Sequence, residues 1–326
     1  MTVFALIVGI ALLLGGGTLL IRGASGVAAN AGISPMIVGL TIVAYGTSAP
    51  ELVVNVVGAL ENETQIAFGN VIGSNVANLG LILGGTALIL PIAIEGRLVR
   101  RELPLLLLGT AVLLVLVLDG PLRAERAVID RADALVLLLL FSTFIFMTVD
   151  QVVRGRQDPL LVGAGQVGAA SERGNGGSRN WAEVLLGVAA LAGGGHLTIQ
   201  SGADLAEILG WEKVLVGMVI VAIGTSLPEL VTSVIAAVRR EPDLCVGNLV
   251  GSNIFNGLLV LPISALLRPI DVPAHGVTDV LASFFVAAAL IPIFIMGRSR
   301  LGRPVGSLLI LAYAGYIGYR LATGTA

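Results

Sequence analysis

Residues 39–60 read GLTIVAYGTSAPELVVNVVGAL, and residues 217–238 read GMVIVAIGTSLPELVTSVIAAV. Aligned without a gap at an offset of 178, the two stretches agree at 13 of 22 positions, among them the run Gly-Thr-Ser-x-Pro-Glu-Leu. Each holds one carboxylate, Glu51 or Glu229, inside an otherwise apolar segment. A carboxylate at bilayer depth costs on the order of 3 kcal/mol on insertion scales and more if unpaired, so it marks a functional site by default. Two of them at matching positions strengthen that reading.

The offset of 178 extends in both directions. Residues 69–83, GNVIGSNVANLGLIL, match 247–261, GNLVGSNIFNGLLVL, at 8 of 15 positions, and 11–28 match 189–206 at the triple glycine and several flanking apolar residues. Three blocks in one register mean duplication.

The surroundings are those of a membrane. Of 326 residues 56% are hydrophobic and only 12% charged, and the mean hydropathy is +0.97, beyond the range of ordinary soluble domains. Apolar runs of about 20 residues, the length that crosses a hydrocarbon core as a helix, recur throughout. We read ten spans, at 2–21, 36–60, 66–91, 102–118, 133–150, 182–203, 213–238, 244–267, 277–297 and 304–321. The first lacks the basic start and cleavage site of a secretory signal, so it is expected to be retained. The expected fold is an all-α polytopic membrane protein of ten transmembrane helices in two five-helix repeats. The first repeat occupies residues 1–150, a flexible Gly-, Arg- and Ser-rich linker 151–180, and the second repeat 181–326. Five spans, an odd number, separate each element from its copy, so the second repeat crosses in the opposite sense. Such inversion places a substrate site near the midplane, where the repeats meet.

Basic residues of short loops stay on the cytoplasmic side. With the N-terminus outside, 13 of the 19 basic residues fall inside, including Arg22, Arg97, Arg100, Arg101, Arg154 and Arg179. Both termini are therefore expected outside a cell membrane, with the linker cytoplasmic. The bilayer itself is the expected surrounding partner, and a net charge of −2 gives no argument for a nucleic-acid partner. The lone Cys245 excludes an internal disulfide and reads as a small packing residue.

In the first repeat Thr47, Ser48 and Glu51 share a helical face by their spacing, as do Ser74 and Asn78. The second repeat supplies Thr225, Ser226, Glu229, Ser252 and Asn256. All are oxygen donors, with no paired His or Cys, a set that suits sodium, calcium or another hard cation rather than zinc or copper. Pro50 and Pro228 lack an N–H and are expected to kink their segments and free backbone carbonyls as further ligands. Gly69, Gly73, Gly247 and Gly251 are expected to let neighbouring helices approach closely, and Asn70, Asn75, Asn248 and Asn253 to bond helix to helix. His196 reads as packed or water-facing and His275 as incidental.

With GTSAPEL, GNVIGSNVAN, GTSLPEL and GNLVGSNIFN in place, the chain resembles the calcium/cation antiporter superfamily, the sodium/calcium exchangers and their prokaryotic relatives, over essentially its whole length. The resemblance implies a transporter without a cofactor, whose transported ions are Ca²⁺ and Na⁺. It implies that Glu51 and Glu229 bind calcium and also hold sodium. Thr47, Ser48, Ser74, Thr225, Ser226 and Ser252 would line the sodium positions, Asn78 and Asn256 would face the cavity, and the carbonyls of Ala44 and Ala222 would complete the shell. It further implies that the first and sixth spans slide across the other eight. Members that cotransport potassium place an aspartate where this chain has Asn78 or Asn256; here both are amides, which argues against potassium dependence. The alternative with the same fold exchanges calcium or another divalent cation for protons. An intramembrane hydrolase using Ser48 or Ser226 is disfavoured, since no His lies within a helical turn of either.

Overall fold

The computed structural model describes residues 2–93, 96–123, 126–155, 177–208, 222–296 and 300–323. The described residues are helical almost throughout. The helices are α1 (Thr2–Ala31), α2 (Pro35–Thr47), α3 (Ala49–Leu60), α4 (Thr64–Ile89), α5 (Gly96–Arg123), α6 (Arg131–Gly155), α7 (Gly177–Ile208), α8 (Ala222–Thr225), α9 (Leu227–Val238), α10 (Pro242–Leu267), α11 (Gly276–Met296) and α12 (Arg303–Ala322).

Among the described residues seven helices are long and apolar enough to cross a membrane, and eight if the bent pair α2–α3 counts as one span. Ten spans were expected. The other two correspond to shorter apolar helices, Leu227–Val238 and Gly276–Pro292. Residues 213–221, the first part of the expected seventh span, lie outside the described residues, as does linker segment 156–176. Large apolar side chains such as Leu139, Phe146 and Leu311 stand about two-thirds exposed on the outer surface, at 68%, 70% and 68%, as lipid-facing residues do.

Several arginines expected in loops are instead helical. Arg22 lies within α1, Arg97, Arg100 and Arg101 within α5, Arg154 within α6 and Arg179 within α7. The reason is length: α1, at 30 residues, extends to about 45 Å at 1.5 Å per residue, well past a ~30 Å hydrocarbon core. The helix continues because its hydrogen bonds are internal, while the charge sits beyond the apolar part. Arg22 pairs there with Glu183 at 3.5 Å, and Arg179 meets the same carboxylate at 3.0 Å.

The duplication is visible in the backbone. Helices α3 and α9 end in matching turns, with Asn62 at φ 72° and Arg240 at φ 61°; Glu63 N–H then bonds to Gly58 O at 2.7 Å and Glu241 N–H to Ala236 O at 2.8 Å. Short π-helical turns occupy Asn78–Ile82 and Asn256–Val260, again 178 apart. Among the described residues, four two-residue strands form antiparallel pairs: β1 (Ile92–Ala93) with β4 (Arg300–Leu301), and β2 (Val128–Ile129) with β3 (Ile270–Asp271).

Helices α1 and α7 pack antiparallel along a glycine seam. A Cβ on Gly16 would lie 2.9 Å from the Gly187 carbonyl, one on Gly23 2.7 Å from Asn180 O, and one on Gly9 3.1 Å from Gly194 O. Backbone thus meets backbone along the crossing. Helix α2 packs on α10 in the same close manner, since a Cβ on Gly247 would lie 2.7 Å from Met36 O and one on Gly251 2.7 Å from Leu40 O. Gly69 and Gly73, expected to do likewise, meet no described atom within 4 Å. The residues in register with Met36 and Leu40, Val214 and Met218, fall outside the described set.

Candidate functional site

The expectation that Thr47, Ser48 and Glu51 share one continuous helical face is corrected. The helix breaks at Ser48, whose φ and ψ are −84° and 2°, and α2 and α3 meet at 44°. Pro50, within the first turn of α3, cannot donate to the carbonyl four residues back, so the chain restarts as a new helix with Glu51 in its first turn. Ser226 repeats this geometry at −88° and 5°, with Glu229 in the first turn of α9. Each carboxylate therefore sits beside a helix N-terminus, where free N–H groups favour negative charge.

The expected site residues come together in the interior. Thr47, Glu51, Asn78, Glu229, Ser252 and Asn256 are each 0% exposed, and Ser48, Ser74, Thr225 and Ser226 are buried as well. Ala222 opens α8, while Ala44 is buried and its carbonyl accepts from Ser48 N–H at 2.9 Å and Thr47 Oγ1 at 3.2 Å. The bonds cross between the repeats: Ser48 donates to Glu229 at 3.2 Å, Thr47 and Ser252 hydroxyls lie 3.4 Å apart, and Ser226 donates to Ser74 at 3.3 Å.

The Ser48 bond ties the segment that carries Glu51 to Glu229 itself. Yet both oxygens of Glu51 and Oε2 of Glu229 have no hydrogen-bond partner, and the same is true of Asn78 Oδ1 and both amide atoms of Asn256. Buried polar atoms are almost always satisfied. Six unsatisfied atoms on four wholly buried side chains are an exception to that rule. Among the described residues no group of three His, Cys, Asp or Glu could hold a metal, so the donors would be two carboxylates with hydroxyl and amide oxygens, which suits a hard cation.

The asparagines expected to bond helix to helix do so. Asn253 Nδ2 donates to Asn75 O at 3.0 Å and Asn75 Nδ2 to Asn253 O at 3.4 Å, while Asn78 Nδ2 donates to Asn253 Oδ1 at 3.0 Å. Asn253→Leu is expected to leave the Asn78 amide without its acceptor and to lower stability by about 1–3 kcal/mol, the cost of an unsatisfied buried group; thermal unfolding in detergent measures it. Cys245 is fully buried, as a packing residue would be, and His196 is exposed. The sequence reading missed Asn55 and Ser233, wholly buried and hydrogen-bonded to Asn70 and Asn248. Their signal was present, as the polar residue four positions after each glutamate in an apolar helix.

The family model described as "Sodium/calcium exchanger protein" matches residues 1–149 and 180–322. The chain belongs to the sodium/calcium exchanger family. Among curated proteins this exchanger is 36% identical over 323 residues to the putative antiporter CaxA of Alkalimonas amylolytica, covering 97% of each chain. It is 30% identical to the sodium/calcium exchanger MaX1 of Methanosarcina acetivorans, covering 96% of each. Among solved structures it is similar to the sodium-calcium exchanger NCX_Mj soaked with 2.5 mM Na⁺ and 0.1 mM Ca²⁺, with a TM-score of 0.82, 26% identity and 97% of each chain covered. The exchanger is thus a multi-pass, all-helical membrane transporter of the cation-antiport type, of the prokaryotic branch of the calcium/cation antiporters.

Proposed function

We propose that this exchanger moves calcium and sodium in opposite directions through one central site, built on Glu51 and Glu229 and open to one membrane face at a time. The observation that carries the reading is the state of the two carboxylates. Both are wholly buried, and Glu51 has no donor at either oxygen. Two uncompensated charges in a low-dielectric interior are prohibitively costly, so the occupied site carries positive charge. One Ca²⁺ matches the pair, and sodium competes for the same oxygens. Since the pair cannot hold both ions in full, one ion leaves as the other binds.

In this reading Thr47, Ser48, Ser74, Thr225, Ser226 and Ser252 line the sodium positions, Asn78 and Asn256 offer amide oxygens, and Ala44 and Ala222 contribute carbonyls. The amides keep the formal charge at −2, without a third carboxylate for potassium. The two halves, 1–150 and 181–326, form an inverted ten-span repeat, a reading supported by the antiparallel crossing of α1 and α7 and the paired turns at Asn62 and Arg240. Both termini lie outside, with linker 151–180 cytoplasmic, as the arginine distribution argues. The glycine seam supports α1 and α7 moving as one body, because their contact is backbone on backbone.

Proteoliposomes loaded with sodium test the proposal. Uptake of ⁴⁵Ca²⁺ is expected with an outward sodium gradient and not with equal potassium or an imposed pH gradient. The bare oxygens of Glu51 also favour a second reading, in which protons neutralise the pair in one half of the cycle. Uptake that follows pH and ignores sodium would establish that reading instead.

A further inference from the structure

Each threonine of the site is backed by an asparagine lying outside the ligand set. Thr225 Oγ1 donates to Asn70 Oδ1 at 3.2 Å, Asn70 Nδ2 donates to Asn55 Oδ1 at 2.7 Å, and Asn55 Nδ2 donates to the carbonyl of Ala67 at 3.0 Å. The polarity of this chain follows from its far end. A backbone carbonyl only accepts, so Asn55 turns its NH₂ to Ala67 and its oxygen to Asn70. Asn70 then gives its NH₂ to Asn55 and its oxygen to Thr225. With one hydroxyl proton, Thr225 spends it on Asn70, and its oxygen is left to the site as an acceptor.

The other repeat builds a shorter chain that ends on a hydroxyl, a group that both donates and accepts, and not on a carbonyl. Thr47 Oγ1 donates to Asn248 Oδ1 at 3.0 Å, and Asn248 Nδ2 donates to Ser233 Oγ at 3.1 Å. A third chain of the same logic starts from Asn75 O, which takes the NH₂ of Asn253; Asn253 Oδ1 takes that of Asn78, and Asn78 Oδ1 is left buried and unpartnered. A free hydroxyl turns its proton toward any acceptor, including a carboxylate in the site, and repels a cation in that orientation. A hydroxyl whose proton is held behind it does not. Partners of this outer kind orient the ligands of metal sites and tune their affinity.

We propose that Asn70 and Asn248 are positioning residues of the cation site, holding the Thr225 and Thr47 protons away from it so that both hydroxyl oxygens face the ion as acceptors. The inference rests on the two-glutamate site proposed above. Position 70 gives the cleaner test, because Thr47 has a second acceptor in Ala44 O.

The experiment is a double-mutant cycle on the sodium concentration that half-saturates sodium-driven ⁴⁵Ca²⁺ uptake, with half-saturating calcium measured alongside. Asn70→Ala and Thr225→Val are each expected to raise half-saturating sodium by roughly 10-fold, the lower end of effects seen for such outer partners. The double variant is expected to be no worse than either alone, and calcium half-saturation to move less. Asn70→Asp retains an acceptor for the Thr225 proton but loses the donor to Asn55, which must turn its own NH₂ to the new carboxylate; half-saturating sodium is expected to return toward the parent value. Should Asn70→Ala not assemble, Asn55→Ala makes the same test one bond further out, since it frees Asn70 to turn its NH₂ toward Thr225. A multiplicative double variant, unchanged sodium half-saturation, or equal loss for both ions would overturn the inference. Glu51→Gln serves as the control: persisting uptake in it sinks the two-glutamate site itself, whereas an inactive Glu51→Gln with a multiplicative cycle sinks only the role of Asn70.

Discussion

Glu51→Gln is expected to abolish sodium-driven calcium uptake while the protein still folds and inserts. The substitution keeps the volume and one carbonyl oxygen, so the packing around α3 is retained. It halves the charge of the pair, and a lone Glu229 facing a doubly charged ion leaves one charge uncompensated in the interior. The folded state does not need the Glu51 charge, because neither of its oxygens accepts a hydrogen bond. Replacing a buried carboxylate by a neutral amide of the same shape is expected to raise thermal stability in the absence of ions, because it removes a desolvated charge while leaving the packing as it was. The two readouts therefore move in opposite directions, transport to background and melting temperature upward. Near-normal uptake, or a protein that melts earlier, would count against the site. Glu229→Gln is expected to abolish uptake as well, with a smaller gain in stability, because Ser48 donates to Glu229 and that bond is weakened.

Gly187→Val is expected to prevent assembly of the α1–α7 pair. A Cβ at Gly187 would stand 2.6 Å from the backbone nitrogen of Leu20 and 2.9 Å from the carbonyl of Gly16. Backbone cannot turn aside as a flexible side chain does, so the helices separate along the seam. Overpacking of this kind costs typically about 1–3 kcal/mol in a core that can relax, and more is expected where both obstacles are main chain. Uptake falls with it. Gly193→Val supplies the control from the same helix: a Cβ there meets nothing within 4 Å, and melting temperature and uptake are expected to stay near the parent's. Size-exclusion profiles and melting curves of the two variants decide the matter. A well-folded, active Gly187→Val protein would mean that α1 and α7 do not pack as closely as described.

Much of this architecture was legible in the amino-acid sequence, because the decisive signals are local or repetitive. Apolar length reports the bilayer, the offset of 178 reports duplication, and a glutamate in an apolar run reports an interior charge whatever its neighbours are. The family follows from the same blocks, since GTSAPEL and GTSLPEL are carried intact. Helical spacing misleads where a helix is interrupted. Ser48 and Ser226 interrupt their helices, so faces counted across them do not exist. Hydropathy likewise places the arginines in loops, because it marks where the apolar part of a helix ends and not where its hydrogen bonds end.

The sequence by itself determined that the protein is a duplicated membrane transporter with a carboxylate in each repeat. Only the tertiary structure decided which groups meet: Ser48 with Glu229, Thr47 with Ser252, Ser226 with Ser74, and Thr225 with Asn70. Every one of these bonds joins the two repeats across more than 150 residues of chain, the nearest pair being Ser226 and Ser74, 152 apart. Periodicity within a segment fixes the face a residue occupies, but the partner on that face is set by how whole helices dock. That docking is governed by the glycine contacts and helix breaks that bring distant backbones together.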